Sequence, residues 1–434
     1  MLKYYIKLAL RSMRRNWIMT ALMVVAIGLG TGASMTMLTV VHVLNADPIP
    51  GRSNQLYVPH LDPLPLKYRS HPHWHPDDNF TWPDAMALLD AHKAERQAAM
   101  SGGSLLLRPS SGSQRPFFAN GRYTTADFFA MFDVPFVAGR GWSDSQGRDK
   151  ARVVVLTADL SRKLFGTVDG TGRDVRLGEH DFRVVGVTAA WHPRPMFYAD
   201  IGTGAFGRAD QFFLPLRTAV DLNFQVSGNV SSWAQGHGDL TGPSTTWLQF
   251  WLQLPDQQAV KDYRRFLVNY AAEQKQLGRF ERPPQHSRVY SLGQWLDRHD
   301  LVPDDVSMQL WLALGFLLVC LVNIVALLLA KFLRRAQEIC VRRALGAGRG
   351  DIFVQFGIEA ALIGVGGGLL GLLLAELGLW SVRQRPDAYA RMAHMDLRML
   401  AGTLLLALLA SIAAGLLPSW RACRIPPALQ LKTL

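Results

Sequence analysis

From Trp17 to Leu44 the chain runs for 28 residues without an Asp, Glu, Lys or Arg, and this run limits the possible folds more than any other feature. A helix of that length, at ~1.5 Å per residue, exceeds the ~30 Å hydrocarbon core of a bilayer. Five basic residues and no acidic one precede it in residues 1–16. Basic residues ahead of an apolar run also open a signal peptide, with small residues at Gly32-Ala33-Ser34 near its end. The run is about twice the usual signal-peptide core, so we read residues 17–45 as an uncleaved anchor. Within 1–16, Lys3, Lys7, Arg11 and Arg14 share one helical face, while Leu2, Ile6, Leu10, Met13 and Trp17 line another. That is the pattern of an amphipathic helix on the inner membrane surface.

Three more apolar stretches follow, at 308–333, 352–380 and 398–418. Four spans place both termini and the 334–351 segment on one side. The formal net charge of +12 raises the question of nucleic acid, and its location answers it. Residues 46–309 hold 28 Lys/Arg and 28 Asp/Glu, so the excess lies in 1–16, in 331–351 and after Pro418. Basic residues beside spans set orientation toward the cytoplasm and meet anionic lipid. No nucleic-acid partner is expected, and residues 46–307 fall on the outer side. The loop 381–396 has three basic and two acidic residues, so it shows no competing bias.

The three cysteines are Cys320, Cys340 and Cys423. None lies in 46–307, which must fold without disulfides and, at about 260 residues, can bury its own core. Its pattern is mixed. Arg152 to Leu156, Phe182 to Val187 and Trp247 to Leu254 read as strands, and Asp159 to Phe165 as a short helix. A helix begins near Pro83-Asp84. Over 257–277, Val260, Tyr263, Leu267, Tyr270 and Leu277 share one helical face. Residues 227–246 are rich in Gly, Ser and Thr and read as a surface loop. The expected fold is a membrane protein of four transmembrane helices, with a large α+β domain inserted between the first and second.

Chemistry-bearing residues are sparse. His71, His73 and His75, with His60 nearby, form the one histidine cluster with metal-binding spacing, but no carboxylate or Cys completes a signature. We assign no metal and leave that stretch open. No phosphate-binding loop, nucleophile elbow or zinc-protease helix occurs, so neither a catalytic set nor a cofactor is expected. The third span carries Gly364, Gly366, Gly367, Gly368 and Gly371. Small residues four apart let helix backbones approach. Gly364, Gly367, Gly368 and Gly371 are therefore expected to pack against another helix or a second subunit. Glu359 and Glu376 lie near the two ends of that span, and Glu376 reads as a solvated end residue.

The segment 334–351 holds the most specific pattern. Residues 331–351 contain six Lys/Arg and two acidic residues. Gln337 to Leu345 suits a short helix that Gly346 ends, and Asp351 can cap the next span. The run Arg335-Ala336-Gln337-Glu338-Ile339-Cys340-Val341-Arg342-Arg343-Ala344-Leu345-Gly346-Ala347 resembles the signature of MacB/FtsX-like ABC transporter permeases, with Cys340 where a small residue is commoner. The likeness continues through Asp351-Ile352, Gln355-Phe356, Glu359 and the glycine-rich span. It extends to the tail, Pro418 to Ala422 and Pro426 to Leu429. In the central domain, Phe128-Phe129, Val134-Pro135, Ala138-Gly139-Arg140, Val153 to Gly166 and Val184 to Val187 resemble the family's periplasmic core domain.

The resemblance implies a permease subunit of the bacterial inner membrane, multi-pass, with its large domain in the periplasm. A separate cytoplasmic ATPase would bind the coupling segment at Arg335, Glu338, Arg342, Arg343, Leu345 and Gly346. A second permease subunit, identical or different, would complete a dimer, and a periplasmic adaptor is a further partner the family allows. ATP hydrolysis in the partner would move the periplasmic domain and drive export or extraction of a peptide, antibiotic, toxin or lipoprotein. Family heads are often split into two lobes, which would place an inserted lobe near 116–240. The alternative is a non-transporting FtsX-like regulator of a cell-wall hydrolase, which the size of the central domain disfavours. A membrane enzyme built on the histidine stretch lacks a catalytic set.

Overall fold

The computed structural model describes residues 2–44, 47–68, 78–109, 115–200, 207, 209–234, 239–299, 304–334, 348–384, 395 and 397–424. Two compact units emerge: Ala46–Leu301, and Met1–Asn45 together with Val302–Leu434.

In the first unit, strand residues alternate between two buried faces. Val153 and Val155 join one apolar cluster, Val154 and Leu156 the other. Ala98, Met100 and Trp251 likewise oppose Ala99, Phe250 and Leu252. A period of two with both faces buried means a sheet covered on each side. Among the described residues the strands are β1 (Leu56–His60), β2 (Phe80–Thr81), β3 (Arg96–Arg108), β4 (Phe117–Thr124), β5 (Phe136–Gly139), β6 (Val153–Thr157) and β7 (Asp174–Leu177). They continue with β8 (His180–Thr188), β9 (Phe212–Pro215), β10 (Val226–Ser227), β11 (Ser231–Ser232), β12 (Thr245–Gln253) and β13 (Arg288–Ser291). The main path runs β13-β1-β12-β3-β4-β9-β6-β8-β5. The β4–β9 and β6–β8 pairs are parallel, and the other pairs are antiparallel.

One face is covered by helices Trp82–Ala91, Ala158–Phe165, Leu216–Asp221 and Gln257–Gln276, which supply Leu88, Leu160, Ala219 and Leu267. The other is aromatic: Phe128 meets Tyr198, Phe132 meets Phe197 and Trp251, and Phe129 meets Trp142 and Phe213. Helix starts follow local chemistry. Thr81 caps the helix containing Pro83, and Asp256 accepts from the Ala259 N–H at 2.8 Å. The strands of 116–240 extend the same sheet as β1, β3 and β12, so by contact this region and its flanks form one unit.

Two expectations need correction. Leu277 is exposed rather than on the buried face, because the helix ends at Gln276 and Gly278 turns with φ 77°. The 227–246 segment is not wholly a surface loop: β11 pairs with β12, and Ser231 is buried.

The second unit is helical. Its helices are Leu2–Arg15, Trp17–Leu44, Asp304–Arg334, Arg349–Arg383 and Leu397–Arg424. We call the last four the first to fourth apolar helices. The first three are long and apolar enough to cross a membrane, and the fourth carries a shorter apolar stretch, Met399–Gly415. In Leu2–Arg15, Leu10 is exposed while small Ala9 and Ser12 are buried. Met13 packs against the bundle core, so among the described side chains the apolar residues of this helix divide between the bundle and the outside.

Candidate functional site

Arg335, Glu338, Arg342, Arg343, Leu345 and Gly346 lie outside the described residues. The helices on either side of them are described. The second apolar helix ends at exposed Arg334, and the third begins at Arg349. The Gly348 N–H donates to the Asp351 carboxylate at 3.1 Å, which satisfies one orphan amide and places negative charge at the helix start.

Between these helix ends lies a polar cluster inside an apolar bundle. Lys331 forms an ion pair with Glu359, and their side chains are 0% and 1% exposed. The Ser12 hydroxyl donates to the same carboxylate oxygen, Oε1, at 2.5 Å. The N-terminal helix, the second apolar helix and the third thus meet at one carboxylate. Glu359 stood out in the sequence as a charge in a span, but Lys331 and Ser12 did not. The available signal was a Lys at the end of one apolar run and an acid eight residues into the next. Glu376 differs: it is half-exposed and meets Arg383 at 2.5 Å.

The glycine stripe is used on two sides of the third apolar helix. A Cβ at Gly364 would stand 2.8 Å from Ser411, and one at Gly368 3.1 Å from Ala407, both on the fourth helix. A Cβ at Gly367 would stand 2.5 Å from Ile27, and Gly371 faces Thr31, both on the first helix. Reciprocal glycines Gly28 and Gly32 face Leu370 and Leu374. Hydroxyls add polar ties between helices: Ser34 donates to Ala313 O at 3.1 Å, and Thr36 to Ala375 O at 3.3 Å. All four singled-out glycines thus pack against helices of the same chain. Gly367→Val is expected to push the first and third helices apart and to cost about 1–3 kcal/mol, read as a lower unfolding temperature in detergent. An unchanged temperature would contradict this packing.

In the first unit, a cavity of about 320 Å³ is lined by Gly102, Gly121, Arg122, Asp200, Asp210 and Gly228, among others. Arg122 Nε donates to Asp210 at 2.7 Å, both side chains being 5% exposed, and the guanidinium lies 4.7 Å from the Tyr198 ring centre. Burial alone would lower the Arg122 pKa, but Asp210, together with Tyr198 and Asp200, outweighs it and the net direction is upward. Burial also holds the Tyr198 phenol well above its usual range. Arg122 therefore stays charged and the Tyr198 phenol protonated, and the buried ion pair braces β4 against the segment leading into β9.

His60 is buried edge-on to Tyr290, with ring centres 5.8 Å apart, while His71, His73 and His75 lie outside the described residues. His299 is placed between two acceptors, Asp78 at 3.0 Å and the Trp295 carbonyl at 2.9 Å. Burial opposes its protonation, yet the Asp78 hydrogen bond and charge win and raise its pKa above the usual 6.5. A raised folded pKa contributes stability below the unfolded pKa and loses it as pH rises through the folded one. His299→Asn is therefore expected to destabilise the chain more at about pH 5.5 than at about pH 8.5. Equal losses in thermal unfolding at both pH values would contradict the pairing.

A family model described as MacB-like periplasmic core domain matches residues 20–266, and one described as FtsX-like permease C-terminal matches 311–427. "Macrolide export ATP-binding/permease protein MacB 1/2" of Paracoccus denitrificans is 36% identical over 314 residues, 70% of this chain and 40% of that protein. "Pyoverdine export ATP-binding/permease protein PvdT" of Pseudomonas entomophila is 24% identical over 351 residues, 80% of this chain and 47% of that protein. "Macrolide export ATP-binding/permease protein MacB" of Chromobacterium violaceum is 26% identical over 250 residues, 57% and 33% respectively. The chain spans less than half the length of these relatives. Among solved structures, the periplasmic region of MacB from Actinobacillus actinomycetemcomitans aligns with 57% of this chain and 92% of its own at 15% identity and a TM-score of 0.36, a likeness too loose to add to the family match.

Proposed function

Because this chain belongs to the MacB-like and FtsX-like ABC transporter permeases, we propose that it couples ATP hydrolysis by a cytoplasmic ATPase to movement of its periplasmic domain. The motion serves export or extraction of a substrate from the periplasm or the membrane. The relatives' names speak of macrolide and pyoverdine export; for this chain the substrate class is kept at a peptide, antibiotic, toxin or lipoprotein. The termini and residues 334–351 face the cytoplasm, and two permease subunits pair.

The observation that carries this reading is the order of the chain. A MacB-like domain precedes an FtsX-like one, and a basic segment with Leu345 and Gly346 joins two apolar helices within the latter. Force applied to a segment tied directly to two helices is delivered to both, whereas a long linker would absorb it. The segment offers charged groups for pairing and an apolar side chain for a socket.

Purification of the chain from native membranes is expected to bring an ATPase with it. Hydrolysis is expected to require that partner, since no phosphate-binding loop lies in residues 1–434. Hydrolysis at an enzyme-like rate by the purified chain alone, or failure of any ATPase to co-purify, would sink the proposal.

A further inference from the structure

We propose that Lys331, Glu359 and Ser12 form a clasp that makes the N-terminal helix a working part of the coupling device. The proposal rests on the coupling function above. Lys331 precedes the 335–347 segment by four residues and Glu359 follows it by twelve. The ion pair therefore ties together the two helices that the segment joins in sequence. Ser12 brings a third element to the same carboxylate.

Stability alone does not account for such a cluster. Removing two charges from water costs several kcal/mol per ion, and a well-packed apolar pair commonly serves stability as well or better. A charged pair with a shared hydroxyl does something an apolar contact cannot. It holds one relative position of the helices, because sliding the second against the third strands a buried charge, and sliding the N-terminal helix breaks a hydrogen bond to one. Lys331 and Glu359 are thus positioning residues. The N-terminal helix suits the role on both faces. Small Ala9 and Ser12 let it lie close to the bundle, while Lys7, Arg11, Arg14 and Arg15 are exposed toward anionic lipid headgroups. Held by lipid on one side and by the clasp on the other, it is the fixed point against which force on the 335–347 segment turns the second and third helices together.

The test uses the full chain with its co-purified ATPase in lipid nanodiscs, comparing wild type, Lys331→Met/Glu359→Leu, Ser12→Ala and Leu345→Asp. Insertion, ATPase retention and permease-dependent ATP hydrolysis are read for each. The apolar pair is expected to insert and to hold the ATPase, while hydrolysis falls about fivefold or more. Ser12→Ala is expected to lose about twofold or more in hydrolysis with retention unchanged, as one hydrogen bond to a charged group is removed. Full hydrolysis in Lys331→Met/Glu359→Leu overturns the clasp, as does its failure to insert or to hold the ATPase, because the pair would then serve assembly or binding. Full hydrolysis in Ser12→Ala removes the N-terminal helix from the device and likewise overturns the proposal. Leu345→Asp separates the two readings: if it too binds and hydrolyses normally, the coupling function itself is at fault.

Discussion

Leu345→Asp is expected to detach the chain from its ATPase and abolish function in cells while the spans insert normally. A leucine side chain seated in a partner's socket contributes about 1.5–3 kcal/mol. A carboxylate in the same place adds a desolvation penalty, so affinity should fall about a hundredfold or more. Gly346→Val acts by another route, since a β-branched residue resists the positive φ with which a glycine ends a helix. Arg342→Lys keeps the charge that orients the chain but loses the planar fork able to grip a carboxylate at two points. The measurements are ATPase co-purification and complementation. Topology is checked in parallel by thiol labelling of Ser113→Cys from outside and protection of Thr433→Cys. Normal ATPase binding and function in Leu345→Asp and Gly346→Val would reduce the segment to a loop that sets orientation only.

Asp210→Ala is expected to be among the most destabilising single changes in the first unit. It strands the Arg122 guanidinium, 5% exposed and beside the Tyr198 ring, and arginine cannot shed its proton to escape. Breaking a buried pair from one side costs about 3–5 kcal/mol, a large share of the ~5–15 kcal/mol that holds a domain folded. Arg122→Met/Asp210→Leu removes both charges and is expected to recover most of the loss. Thermal unfolding of the full chain, followed by tryptophan fluorescence, reads both variants. A loss under about 1 kcal/mol for Asp210→Ala would mean that water reaches the guanidinium.

The sheet was legible where its strands are β-branched. Val153 to Thr157 and Phe182 to Thr188 carry their own signal, and the expected limits differ from the observed by a residue or two. The longest strand, Arg96–Arg108, was not legible, because Ala98, Ala99, Ser101, Gly102, Gly103 and Ser104 suggest a loop. Its small residues answer to tertiary packing: the Tyr123 ring lies where a Cβ of Gly103 would be, and the Phe212 ring 2.5 Å from one at Gly121 on the neighbouring strand. Propensity cannot report a ring supplied from elsewhere in the chain. Glu359 was visible as an acid in an apolar run, but its partners are fixed by helix rotation, which one sequence does not state. In the N-terminal helix the two faces were legible, but not that small Ala9 and Ser12, with Met13 beside them, would be the residues that meet the bundle.

The sheet also closes on itself. β7 pairs with β3 on one side and with β8 on the other, so β3, β4, β9, β6, β8 and β7 form a ring, while β12, β1 and β13 run out from β3 and β5 pairs with β8. A closed ring of hydrogen-bonded strands cannot be opened or flattened without breaking a ladder. Load entering at β12 therefore reaches β8 by two routes, through β7 and through β4, β9 and β6, and the ring answers as one body.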